Sequence, residues 1–372
     1  MTFASRLVRC PIAFDPDRAR DARARFAHLP PDLRALLEGT AGCSPYLGGL
    51  IQTEADWLEQ ALCLAPEDVL KNTLQSIENL SSDDLGLALR RAKARVALLA
   101  GLADLGGVWT LEEVTDALTR LADQAVQLAL VALVGDEIRR GRLPGTTPDD
   151  AAQAGGMVAL AMGKMGANEL NYSSDIDLIC LFDDSRFDAG DVQDARASFI
   201  KVVRRMTAML SDLTAGGYVF RTDLRLRPDA SVTPVCISMA AAESYYEAEG
   251  RTWERAAYIK ARACAGDIAA GERFLKALTP FVWRKHLDFA AIQDAHDMRL
   301  RIREHKGLHG PILLEGHNMK LGQGGIREIE FFTQTRQLIA GAAIPICDNG
   351  PRCRDWRRWR PKAGCRPAWP TN

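Results

Sequence analysis

The 372-residue sequence has no Cys-x-x-Cys pair, although it holds nine cysteines. An odd number of scattered thiols in a long chain argues against a disulfide framework and against a zinc site, and fits reduced cysteines in a cytosol. Net charge is also missing. The 47 Lys and Arg residues face 48 Asp and Glu residues, a formal charge of -1, so no global basic field points to nucleic acid. Long apolar runs are absent. The stretch from Ala125 to Val134 is interrupted by Gln127; it is too short for a membrane span and suits a buried helix. Met1 to Phe14 carries Arg6 and Arg9 but no apolar core of secretory-signal length. No internal repeat or low-complexity segment interrupts the chain before residue 346. The expectation is a cytoplasmic globular protein without nucleic-acid or membrane partners. Its length and its 47% apolar, 26% charged composition suit two or three ordinary domains.

Residues 1–150 read as a helical region. Thr110-x-x-Glu113 has the form of a capping box opening a helix through Val134. Ser81 and Ser82 precede a helical pattern of Leu85, Leu89, Ala92, Val96 and Leu99, and Ser44-Pro45 resembles a cap followed by proline at the first helical position. Gly141 to Asp150 reads as a linker. Beyond it the pattern becomes strand-like at Met157–Met162 and Ile176–Phe182, helical over Asp191–Leu213 up to Gly216-Gly217, and strand-like again over Tyr218–Arg227 until Pro228. This predicts an α+β core over residues 151–268. Residues 269–346 return to helical periodicity. The final stretch, 347–372, is a basic tail with seven Lys or Arg, two Asp and three Trp, and it lacks apolar periodicity; disorder is expected.

The chemistry concentrates in the middle. Asp175 and Asp177 are two apart at the start of an apolar strand, so both carboxylates share one face while Ile176 and Leu178 point into the core. Two like charges so placed repel, and a divalent cation with a preference for oxygen ligands, Mg2+ or Mn2+, removes that repulsion. Asp223 on the next strand segment completes a three-carboxylate set able to hold metal for displacement at phosphorus. Asp175, Asp177 and Asp223 are thus both the expected metal ligands and the expected catalytic residues. Arg225 and Arg227 are placed to balance phosphate charge. Upstream, Gly163 and Gly166 allow backbone amides to approach an anion, with Lys164 adding charge, and Ser173 or Ser174 offers a hydroxyl. The competing structural readings are an ordinary glycine turn, a loop cap, and a surface ion pair around Asp223. Five of the six histidines lie between His286 and His317 without a nearby acid in metal-ligand spacing, and they read as surface residues.

Four segments carry a resemblance: AMGKMGANELNYSSDIDLICLF ending at Phe182, FRTDLRLRPD at 220–229, RTWERAAYIKARACAGD at 251–267 and MKLGQGGIREIEFF at 319–332, with weaker similarity at SPYLGGLI, 44–51. Together they resemble the glutamine synthetase adenylyltransferase family over roughly residues 30–345. The resemblance implies a DNA polymerase β-like nucleotidyltransferase core flanked by helical regions. Full-length members carry two such halves, one removing AMP from a glutamine synthetase tyrosine by phosphorolysis to give ADP, the other attaching AMP from ATP. A PII signalling protein and glutamine set the balance, which regulates nitrogen assimilation. Metal binding transfers to Asp175, Asp177 and Asp223. By the same resemblance Lys260 and Arg262, with Trp253, Glu254 and Arg255, line the site; the alternative is a partly buried helix with solvated charges.

The Gly324–Phe331 wording and the position near the chain start resemble the AMP-removing, N-terminal half. Phosphate, ADP and ATP are the expected small-molecule partners, and glutamine synthetase and PII the expected protein partners. The sequence holds one catalytic half and departs from the family pattern after about Ile346. Two alternatives stay open: adenylyl transfer from ATP at the same site, and a non-catalytic regulatory fragment that binds glutamine synthetase or PII.

Overall fold

The computed structural model describes residues 1–283, 304 and 315–341. The tail from residue 347 and His286, His296, His305 and His309 lie outside the described residues. Two compact units divide the chain, Met1–Val282 and Trp283–Asn372.

The first unit begins with seven helices: α1 (Pro16–Arg25), α2 (Pro31–Cys43), α3 (Pro45–Thr53), α4 (Ala55–Leu62), α5 (Pro66–Gln75), α6 (Ser82–Leu105) and α7 (Leu111–Arg139). Their starts follow local rules. Ser44 and Ser81 accept backbone hydrogen bonds at the N-termini of α3 and α6. Thr110 and Glu113 form the reciprocal capping box of α7, with the Thr110 amide donating to Glu113 Oε2 at 2.7 Å. At 29 residues α7 is long and apolar enough to cross a membrane by length and composition, with mean hydropathy 1.4, but 61% of that window is buried inside the protein. It is the spine of the core.

The sheet follows. Its strands are β1 (Met157–Ala161), β2 (Ile176–Phe182), β3 (Thr222–Asp223), β4 (Cys236–Ser238) and β5 (Arg262–Gly266). The order is β3-β2-β1-β5, with β4 also on β2. β1 pairs antiparallel with β2 and β5, whereas β3 and β4 pair parallel with β2. Between them lie a one-turn helix α8 (Gly163–Gly166), α9 (Val192–Ser211), α10 (Met239–Ala248) and α11 (Thr252–Tyr258); α12 (Ile268–Ala277) and α13 (Thr279–Val282) close the unit. The fold is α+β, with a small mixed sheet beside a large helical body.

The expected strand over Tyr218–Arg227 shrinks to Thr222–Asp223. The reason lies in the sheet. β3 reaches β2 only at Ile176 and Asp177, and from Cys180 onward β4 holds that edge. Beyond Asp223 the chain has no hydrogen-bonding edge to follow and turns away.

One core joins the helical body to the sheet, running from Phe3 and Leu36 through Leu89, Leu121 and Val126 to Ala159, Leu178, Phe182 and Ala265. The Gly141–Asp150 stretch therefore connects elements of one unit. Alternation sorts β2 into two faces. Ile176, Leu178, Cys180 and Phe182 enter this shared core, while Asp177, Ile179 and Leu181 take the other face. Cys180, Cys236 and Cys264 are buried and free, and Cys10, Cys43 and Cys63 are exposed and free. In the second unit, α14 (Ile326–Gly341) follows a turn in which a side chain at Gly322 or Gly325 would meet backbone oxygens at 2.6 and 2.7 Å. Close packing accounts for those glycines.

A charge cluster pins α7 to α9. Glu137 is fully buried; it accepts from Lys201 at 2.9 Å and lies 3.6 Å from Arg205, while Asp136 accepts from Arg205 at 3.0 Å and from Ser82. The two partners differ in access to water, because Lys201 and Arg205 are partly exposed and Glu137 is not. Removing both cations leaves the buried Glu137 carboxylate only the longer pairs to Arg140 at 3.5 Å and Arg142 at 3.6 Å; neutralising the acid releases cations that reach solvent. The double variant Lys201→Met/Arg205→Met should therefore lose about 2–3 kcal/mol and Glu137→Gln only about 1 kcal/mol, as measured by denaturant unfolding.

Candidate active site

Asp177 sits opposite Asp223 in the parallel β2–β3 pair, so the two side chains leave the same face of the sheet. Asp175 stands just ahead of β2, two residues before Asp177. The face they share is the one that the helical core does not fill.

Arginines neutralise this cluster. The Arg221 guanidinium donates to Asp175 Oδ1 at 2.5 Å, to Tyr218 Oη at 2.6 Å and to the Ser173 carbonyl at 2.5 Å. Arg225 grips Asp223 through Nε and Nη2, the latter at 2.5 Å, and its backbone amide donates to Asp223 Oδ1 at 2.8 Å. Those hydrogen bonds from Arg225 hold the Asp223 carboxyl below the usual carboxylate range, against the opposing effect of burial. The Arg225 guanidinium is stabilised in turn by Asp223 first, then by Asp177 and Asp175. One cation thus responds to all three acids.

The glycine turn approaches from β1. Gly163 has φ +55°, and a Cβ there would lie 3.0 Å from Asp177 Oδ2, so glycine lets the turn lie against the carboxylate. The Met162 amide donates to the Asp177 carbonyl at 2.9 Å. Lys164 occupies the same turn. Gly166 has a different reason: its Cβ would stand 2.0 Å from the Lys260 carbonyl, a close backbone crossing. Ser173 adopts φ +50°, unusual for a residue with a side chain, in the loop whose carbonyl Arg221 holds. Tyr172 ties that loop to α6 through Asp104 Oδ2 at 3.1 Å and the Ala100 carbonyl at 3.3 Å. Ser174 donates its amide to Asn171 within the same turn.

Other expected contacts lie elsewhere. Arg227 donates to the carbonyls of Leu224, Ala230, Thr233 and Pro234, organising the loop after β3. Its guanidinium is engaged by backbone oxygens because the chain leaves the sheet at Asp223. Arg262, on β5 and two strands from β2, pairs with Asp123 of α7 at 2.8 Å and with the Met165 carbonyl. Lys260 lies 3.8 Å from Glu169. Glu254 and Arg255 are buried; Glu254 meets the Tyr245 hydroxyl and Arg255 the Val282 carbonyl. Trp253 belongs to that same packed helix. One residue not anticipated from the sequence borders the carboxylates, Arg221, and another, Lys93 of α6, lies over the ring of Phe220, the chain neighbour of Arg221. Arg221 had a readable signal, standing two positions before Asp223 in an extended run. Lys93 had none, since its ring partner Phe220 lies far away in the chain.

The donor set of Asp175, Asp177 and Asp223 is all oxygen and fits a hard divalent cation by backbone position. Among the described residues no three His, Cys, Asp or Glu side chains converge as placed into a metal shell. Arg221 and Arg225 hold two of the carboxylates, and Arg225, 85% exposed against 17% for Asp223, is free to swing into water. The residues present fit the ion once those arginines release them.

A nucleotidyl-transfer class of site is what this carboxylate-and-glycine arrangement resembles. Residues 36–277 match the family described as glutamate-ammonia ligase adenylyltransferase. The chain belongs to that family. Bifunctional glutamine synthetase adenylyltransferase/adenylyl-removing enzymes from Rhodopseudomonas palustris and a Bradyrhizobium species are each 49% identical over 336 residues, 89% of this chain and 34% of theirs. One from Xanthobacter autotrophicus is 47% identical over 323 residues, 86% of this chain and 33% of its own. The chain spans about a third of the length of these curated relatives. Residues 296–361 also match a family described as GlnD PII-uridylyltransferase.

Lys93 gives a pH test of this geometry. Burial, and secondarily the charge of Arg221, pulls its ammonium down from 10.5 to about 8. Between those values the unfolded chain holds the proton and the folded chain does not, so the lysine's contribution to stability rises with pH. Lys93→Met should melt higher than the wild type at pH 7, and the gap should close as pH climbs from about 8 toward 10.5. Thermal unfolding of both proteins across that range checks it.

Proposed function

We propose that this chain removes AMP from an adenylylated tyrosine of glutamine synthetase by phosphorolysis. The observation that carries the reading is the register of Asp177 with Asp223, with Asp175 just ahead and arginines on both flanks. The names of the relatives supply the substrate, and both adenylyl transfer and removal appear in them. The removal direction rests on the resemblance of the 319–332 segment to the AMP-removing half. A polymerase β-like arrangement of the sheet is part of the same proposal, as is action in the cytoplasm. The match of residues 296–361 supports communication with a PII protein.

Phosphorolysis attacks the α-phosphorus of the tyrosyl-AMP ester with an oxygen of hydrogen phosphate. The new P–O–P bond forms, the bond to the tyrosine oxygen breaks, and the proton of the attacking phosphate ends on the phenolate. Products are ADP and free tyrosine. Asp175, Asp177 and Asp223 would hold Mg2+ or Mn2+, which supplies charge neutralisation at the phosphoryl oxygens. Arg225, once off Asp223, offers a flexible cation to a non-bridging oxygen. The Gly163 turn brings backbone beside Asp177 without a side chain in the way. In the reverse direction the same groups serve transfer from ATP.

Mixing the chain with adenylylated glutamine synthetase, Mg2+ and phosphate should yield ADP, and Asp175→Asn should reduce the rate by at least about a hundredfold. AMP as the product means hydrolysis, and near-normal ADP release from the variant removes Asp175 from the chemistry.

A further inference from the structure

Arg221 and Arg225 neutralise the same carboxylates, but they are held differently. Among the described residues the Arg225 guanidinium donates only to Asp223, two positions away in the chain, and its side chain is 85% exposed. Arg221 spreads its donors over three partners. Nε reaches Asp175 Oδ1 at 2.5 Å, Nη1 the Tyr218 hydroxyl at 2.6 Å and Nη2 the Ser173 carbonyl at 2.5 Å. Its guanidinium also lies over the Tyr218 ring, 5.4 Å from the centroid. One partner is a metal-binding acid, and the other two are neutral oxygens.

The helical body anchors both neutral partners. Arg90 of α6 is buried and donates to the Gly217 carbonyl at 2.9 Å and the Asp212 carbonyl at 2.8 Å, which fixes the turn leading into Tyr218. The Tyr172 hydroxyl ties the chain neighbour of Ser173 to Ala100 and Asp104 of the same helix. The seat of Arg221 is thus built without any ligand.

The two arginines therefore respond differently when the acids turn to a divalent cation. Arg225 is left with no fixed partner. Arg221 keeps its bonds to Tyr218 and Ser173, its place over the ring, and its position beside Asp175. What it loses is an anionic oxygen on Nε. A non-bridging phosphoryl oxygen has the charge and the acceptor geometry to replace it. We infer that Arg221 is the fixed phosphoryl-binding arginine of this site and that Tyr218 is the residue that positions it. The inference rests on the AMP-removal reading for its substrate, a phosphoryl group beside the three acids. A cation fixed before the reaction stabilises developing charge without reorganisation, and Arg225 is its flexible counterpart.

Two titrations of the full chain test this without turnover: Mn2+, followed by electron paramagnetic resonance, and ADP with Mg2+, followed by calorimetry. Arg221 competes with the ion for Asp175 but holds the phosphoryl group, so Arg221→Ala should move the two affinities in opposite directions. It should bind Mn2+ at least as tightly as the wild type and ADP about tenfold more weakly or worse. Retained Mn2+ binding shows the carboxylates still in register, so the loss of ADP is not a folding defect. Tyr218→Phe keeps the ring and removes the acceptor oxygen; it should weaken ADP by about threefold. Tyr218→Leu removes both and should approach Arg221→Ala, each with wild-type Mn2+ binding. Unchanged ADP affinity in Arg221→Ala, or ADP and Mn2+ binding lost together, overturns the inference, and unchanged ADP affinity in Tyr218→Leu removes the positioning role. The ADP-forming assay separates the inference from the reading beneath it. Formation of ADP at the wild-type rate by Arg221→Ala removes the arginine and leaves AMP removal standing. Arg221-dependent ADP binding in a wild type that forms no ADP from adenylylated glutamine synthetase keeps the arginine and removes the reaction.

Discussion

Repulsion among carboxylates on one sheet face is the constraint around which this site is arranged. Asp177 and Asp223 are fixed opposite one another by a parallel strand pair, and Asp175 stands two residues ahead. Alternation along β2 prevents relief by rotation, because turning Asp177 inward would drive its carboxylate into the shared core and take Ile176, Leu178 and Cys180 out of it. Positive charge must therefore come from elsewhere. In the structure it comes from Arg221 and Arg225, one on each side. Acids paired with arginines are neutral enough to fold, and in the proposed metal-binding role they would exchange those arginines for an ion.

The helical body does more than cover the sheet. α6 reaches the site by accepting the Tyr172 hydroxyl that ties down the Ser173 loop, and its Lys93 lies over the Phe220 ring ahead of β3. α7 reaches the far side of the sheet, where Asp123 takes Arg262 and Gln127 accepts from the Gly266 amide at 2.7 Å. Helices and sheet share one core, so the position of a carboxylate on β2 is set partly by residues almost a hundred positions away. Glu137 and Asp136 add a second tie between α7 and α9, in which α9 packs beneath β2, β3 and β4.

Much of the local structure was legible in the sequence because it obeys local rules. β2 was readable as Ile176–Phe182, and the Thr110 capping box and the Ser44-Pro45 start of α3 stand where their side chains require. What was not legible depends on contacts made at long range. The β3 strand is short because β4 takes the same edge of β2, a competition absent from the 218–227 pattern. Arg227 looks like a phosphate ligand when read as an alternating cation, and the resemblance puts Arg262 at the site, yet one closes its own loop and the other pairs with α7. Gly166 reads like part of an anion turn but allows the Lys260 backbone to pass. Lys93 carries no motif; only folding brings it to Phe220.

The central claim is that Asp175, Asp177 and Asp223 act as one divalent-cation site that arginines neutralise until the ion arrives. Titration of the protein with Mn2+, followed by the loss of its free-ion electron paramagnetic resonance signal, tests this most directly. The account predicts saturable binding that Asp223→Asn and Asp177→Asn each weaken by about tenfold or more, with Arg225→Ala binding at least as tightly as the wild type. Undiminished Mn2+ binding in Asp223→Asn, or binding abolished by Arg225→Ala, would contradict it.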